Sequence, residues 1–97
     1  MSERYETMTI MIRGLITGIA REIAYQTQTP VKEPLCQHGA WYIAVGGFGL
    51  TCEAVGRAAG VSKQAVSEGC KRMADRCDDR ALERQIIRVA ETFGVAL

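Results

Sequence analysis

Apolar residues recur at spacings of three and four through the first quarter of the chain. Met8, Ile12, Leu15, Ile16, Ile19 and Ile23 mark one buried stripe on an amphipathic helix from about Glu6 to Tyr25. The pattern then breaks. Gln26 to Pro34 is polar and holds both prolines, so it reads as an extended connector. A second helix is predicted from about Leu35 to Val45, with Ala40, Trp41, Ala44 and Val45 inward and Gly46-Gly47 ending it. A third spans about Cys52 to Ala59. A fourth spans about Lys63 to Arg76, with Val66, Cys70, Met73 and Cys77 in one arc against the core. The fifth, from about Arg80 to Phe93, buries Leu82, Ile86, Val89, Ala90 and Phe93, and Gly94 to Leu97 is expected to fray. No stretch alternates in the way of a strand. The expected fold is all-α, five helices in a single domain over residues 1–97.

Between the third and fourth helices the spacing is that of a helix-turn-helix. Gly60 can end a helix in the left-handed conformation, Val61 is expected to plug the turn as an apolar side chain, and Ser62 can cap the helix that follows. Opposite the apolar arc of the fourth helix lie Lys63, Gln64, Ser67, Glu68 and Lys71. In a helix-turn-helix the amino-terminal residues of the second helix meet base edges in the major groove. Lys63, Gln64 and Ser67 are therefore the candidate base readers, and Lys71, Arg72 and Arg57 the candidate phosphate contacts. The Ser62 backbone amide, at the positive end of the helix dipole, is a further candidate phosphate donor. Glu68 can accept from a cytosine amine or point away from the backbone.

Charge qualifies that reading. The formal net charge is only +1, so any basic surface for nucleic acid has to be local. Apolar residues at 47% and charged residues at 24% are an ordinary globular balance, which argues against long disorder. Cys36, Cys52, Cys70 and Cys77 have no paired CxxC spacing, and His38 is the only histidine, so no metal and no cofactor is expected. Without a signal-peptide pattern they read as reduced thiols in a cytosol, mostly small hydrophobes. Met8 to Ala24 is the most apolar early stretch, but Arg13, Arg21 and Glu22 would be costly in a bilayer, so no membrane span is expected. Gly14 and Gly18 form a small-xxx-small pair; packing within the monomer is the preferred reading, a homodimer the alternative.

Catalysis finds little support. His38 has no identifiable partner and reads as a surface or cap residue, and no Ser or Cys sits in a nucleophile motif. Gly46-Gly47-Phe48-Gly49 follows no strand and lacks GxGxxG spacing, so it reads as a turn and not as a phosphate cradle. Arg80, Arg84 and Arg88 form a second basic stripe, offset by Asp78, Asp79, Glu83 and Glu91, and read as a solvated face.

From Cys36 to about Glu91 the chain resembles the carboxy-terminal DNA-binding domain of the bacterial replication initiator DnaA, especially alphaproteobacterial forms and small stand-alone relatives. Ala40-Trp41-Tyr42-Ile43-Ala44 is similar to that family's Ala-Met-Tyr-Leu-Ala helix, Phe48-Gly49-Leu50 to its Phe-Gly-Leu, and Gly56-Arg57-Ala58-Ala59-Gly60 to its Gly-Arg-Ala-Phe-Gly. Further on, Cys70-Lys71-Arg72-Met73 resembles Cys-Arg-Arg-Ile, and Asp75-Arg76-Cys77-Asp78-Asp79 resembles Asp-Arg-Arg-Asp-Asp. The departures fall on the reading residues. Ser62, Lys63, Gln64 and Ala65 stand where the family has Asp-His-Thr-Thr or Asp-Arg-Thr-Thr. Gln37 takes the place of its minor-groove basic residue and Glu68 that of its recognition-helix histidine. The resemblance thus implies a kept scaffold with origin-box recognition lost, and the chain has no room for an ATPase domain.

Small alphaproteobacterial proteins with such domains include transcription activators, among them those of gene transfer agent clusters, and that analogy implies gene regulation. The expectation is a non-enzymatic, sequence-specific double-stranded DNA-binding transcription regulator in the cytoplasm, associated with the nucleoid. The alternative is a degenerate initiator-like interaction module that binds a protein of the transcription or replication machinery.

Overall fold

The computed structural model describes residues 2–97, with side chains from residue 4 onward. It is all-helical. The elements run α1 (Ser2–Thr27), α2 (Pro34–Gly46), α3 (Cys52–Ala59), α4 (Lys63–Arg76) and α5 (Arg80–Thr92), with no strand among the described residues.

Each boundary has a local cause. The first helix runs two residues past the expected Tyr25 and stops after Thr27, where Gln28 adopts a left-handed φ of 57° and Thr29 N–H reaches back to the Ala24 carbonyl at 3.0 Å. Pro34 opens α2 at a position whose N–H would have no helical acceptor, so the proline costs nothing there. Thr51, Ser62 and Asp79 cap α3, α4 and α5, each side-chain oxygen accepting from a backbone N–H of the first turn.

One buried cluster joins all five helices, with α2 at its centre and in contact with the other four. Ile12, Ile16, Ile19, Ala20 and Ile23 come from α1, and Cys36, Ala40, Trp41, Ile43 and Ala44 from α2. Val55 and Ala58 of α3, Val66 and Met73 of α4, and Ile86, Val89 and Ala90 of α5 complete it. Gly39 marks its tightest point, where a β-carbon would stand 2.6 Å from Ile23 Cδ1 and 3.6 Å from both Met73 Cε and Ile86 Cδ1.

Several expectations from the pattern are corrected. Met8 is exposed, because α1 extends past the helices that cover its later turns. Val45, Cys70, Cys77, Leu82 and Phe93 edge the core as half-buried side chains. The carboxy-terminal segment is held down: Val95 N–H donates to Ala90 O at 3.0 Å, and Val95 packs so closely on Gly47 that a β-carbon there would meet it at 2.8 Å. Gly18 faces the Phe93 ring of its own chain, whereas Gly14 faces nothing within 4 Å.

Candidate nucleic-acid interface

Gly56, inside α3, lets the following turn fold onto the helix. A β-carbon on it would lie 2.7 Å from Val61 O and 3.3 Å from the Ser62 carbonyl group. The Gly56 carbonyl accepts from Gly60 N–H and from Val61 N–H at 2.9 Å, and Gly60 sits at φ 75°. Ser62 Oγ then accepts from Ala65 N–H at 3.1 Å and starts α4. Val61 does not plug the turn; its side chain is exposed, and the closeness comes from its carbonyl against Gly56.

Val66, Gly69 and Met73 seat α4 on the core. A β-carbon on Gly69 would meet Trp41 Cε3 at 2.6 Å and His38 Cδ2 at 2.9 Å, so α4 lies directly against these two side chains of α2. Trp41 is buried with its Nε1 unpaired.

Lys63, Gln64, Ser67, Glu68, Lys71 and Arg72 are all exposed on α4. At about 100° per residue, Gln64, Lys71 and Glu68 stand furthest from the core, Lys63 and Ser67 occupy one shoulder, and Arg72 the other. The helix carries Lys63, Lys71, Arg72 and Arg76 against Glu68 and Asp75, while the rest of the chain has eight cations against nine carboxylates. The net +1 is therefore a positive α4 on a slightly negative body.

Two of the sequence-chosen cations differ from the others. Arg57, on α3, is exposed but engaged: its Nη2 donates to Glu53 Oε1 at 3.1 Å, and its guanidinium lies 5.4 Å from the centroid of the Tyr5 ring. Its charge is partly neutralised, and the side chain is drawn toward α1. Arg72 joins Arg76 and His38 along a cavity of about 790 Å³ that also includes Thr29, Pro30 and Glu33. His38 is half-buried with its ring tilted 42° against Trp41, centroids 5.4 Å apart. Burial first, then Arg72 and Arg76, hold its pKa below the ordinary 6.5. His38 is thus not the surface or cap residue its position suggests, and Arg76 joins the site without any local cue. Their meeting depends on α2–α4 packing, which no local spacing reports.

The four cysteines are free thiols. Burial, helped by neighbouring Cys52, pushes Cys70 up to about 11, and burial also raises Cys36 and Cys77. Arg80, Arg84 and Arg88 are exposed on α5, whose first turn Asp79 caps at 2.9 and 3.4 Å. No helix is long and apolar enough to cross a membrane among the described residues. No protein-family profile, curated protein or solved structure matches the chain.

Proposed function

We propose that this chain is a non-enzymatic, sequence-specific binder of duplex DNA that regulates transcription, with α3 and α4 as its helix-turn-helix. One observation carries the reading: the chain's positive excess resides on α4, whose exposed leading turns present Lys63, Gln64 and Ser67 beside a tightly closed turn. Such a helix matches major-groove readout in width and in donor and acceptor content. Lys63, Gln64 and Ser67 read bases, and Lys71, Arg72 and the Ser62 amide hold phosphates. Arg57 contributes after exchanging its Glu53 partner for a phosphate. The initiator-like motifs agree with this use of the scaffold while the replaced signature directs it to another sequence. The place of action is then the nucleoid.

A second reading has its own support. Arg57 is already paired, and Glu68 lies on the outward face of α4 beside Gln64 and Lys71, which suits a protein partner of the transcription machinery better than a phosphate backbone. Incubating purified protein with sheared genomic DNA and sequencing the retained fragments separates the two. The DNA reading expects enriched fragments sharing a motif. With about three phosphates neutralised, it also expects a slope near −2.7 in log affinity against log salt. Retention without sequence preference, together with a stable protein partner that tolerates Lys63→Ala and Gln64→Ala, selects the interaction module.

A further inference from the structure

A second cavity, of about 450 Å³, lies where α1, α2 and the turn after α3 meet. Arg13 and Thr17 of α1, Gln37 and Trp41 of α2, Ala58 at the end of α3 and Val61 of the turn line it. Arg13 is the only charged side chain in its wall. That arginine is held in place: Nε donates to Ala58 O at 3.2 Å, which leaves both Nη groups without a partner among the described residues.

Trp41 supplies a separate observation. It is only 8% exposed, and its Nε1 is the one buried side-chain nitrogen or oxygen without a hydrogen bond among the described residues. Cε3 and Cζ3 of the indole face Gly69 of α4, so the opposite edge, which carries Nε1, is turned from α4 toward the side of α1 and α3, where this cavity lies. A tryptophan N–H can only donate, and an orphaned one calls for an acceptor from outside the chain. Arginine, too, only donates. Val61 is followed by Ser62, the cap of the 14-residue α4, whose positive end adds to the same field.

We infer that this cavity holds a phosphodiester of the DNA backbone, with Arg13 as the charged clamp and Trp41 Nε1–H donating at the inner wall, directly or through a bridging water. Naming DNA as the source rests on the DNA-binding reading; the affinity for a phosphodiester does not. Charge selects a diester. A single guanidinium balances its one negative charge, whereas a phosphate monoester carries about −1.5 to −2 at pH 7 and would find no second cation in the wall. No carboxylate lines the cavity, so Arg13 is spared the competitor that Arg57 has in Glu53. Its bond to Ala58 also fixes the side chain in advance, which lowers the cost of ordering it on a ligand. The interface thereby gains a third element: α1 grips the backbone beside the turn while α4 reads bases. A fourth phosphate joins the three counted above and takes the salt slope from near −2.7 to near −3.6.

Trp41 is the only tryptophan, so one indole N–H resonance reports on the cavity. Titrating the isotope-labelled chain with dimethyl phosphate, against sodium chloride at equal ionic strength, should shift that resonance in the wild type and not in Arg13→Gln, with helicity unchanged because Arg13 is exposed. A duplex selected from genomic DNA should shift it as well. Arg13→Gln should flatten the salt slope by about 0.9 and leave the selected motif unchanged, while Arg84→Gln, exposed on α5, leaves the slope alone. If no duplex binds and dimethyl phosphate still shifts the resonance through Arg13, the DNA-binding reading fails and the phosphodiester site stands. An indole resonance unmoved by dimethyl phosphate and by duplex, or a salt slope equal in Arg13→Gln and the wild type, overturns the inference.

Discussion

Replacing Gly56 by alanine sets two opposed effects of known size against each other. Inside a helix the change is favourable by about 0.8–1.0 kcal/mol, because alanine loses less backbone entropy and shields the helix. At Gly56 the new β-carbon would stand 2.7 Å from Val61 O and 3.3 Å from the Ser62 carbonyl group, and these are backbone atoms that cannot rotate away. Overpacking of this kind costs about 1–3 kcal/mol. Gly14→Ala is the matched control, since nothing lies within 4 Å of its β-carbon position. Thermal and urea unfolding, followed by far-ultraviolet circular dichroism at low protein concentration, should place Gly56→Ala below Gly14→Ala by the whole steric cost. In a domain of this size that is a gap of at least about 4 °C in Tm. The same variant should lose DNA affinity beyond what its stability explains, because the displaced turn carries Ser62 and the start of α4. If Gly56→Ala is as stable as Gly14→Ala, the turn is not held by close approach and the account of it is wrong.

Ser62→Ala should cost about 1 kcal/mol through loss of the cap, measured by urea unfolding. Ser62→Asp keeps the side-chain acceptor, so the same unfolding experiment should find its stability close to that of the wild type. Stability should fall as pH rises from about 9 to about 11, because Cys70, raised from 9.0 to about 11, keeps its proton when folded while the unfolded thiol releases it; a flat urea midpoint across that window contradicts the burial of the thiol. His38 is held below 6.5 partly by Arg72 and Arg76, so a phosphate against these two arginines should raise its pKa. DNA should then bind more tightly at about pH 6 than at about pH 8, and NMR titration of the imidazole with and without DNA measures the shift directly.

The helices were legible because their cause is local. Cys52–Ala59 and Lys63–Arg76 carry the Thr51 and Ser62 caps, the apolar spacing and the glycine at position 60 within a few residues of each end. Met8 continued the same spacing and still lies exposed, since periodicity marks a face and does not say whether another helix reaches far enough to cover it. The docked tail was missed for a related reason: Val95 is fixed by Gly47 and Ala90, and only the packing of α5 on α2 brings these together. In the candidate site, the exposed face of α4 followed from its own spacing. The diversion of Arg57 by Tyr5 and the cluster of His38 with Arg72 and Arg76 are tertiary, with partners on α1 and α2.

Chromatin immunoprecipitation with sequencing, comparing the wild-type chain with Lys63→Ala/Gln64→Ala at matched expression, tests the central claim most directly. Both side chains are exposed, so the variant should fold normally. The account predicts discrete sites sharing a motif, with occupancy lost in the variant. Absence of enriched sites, or occupancy that survives the double substitution, contradicts it.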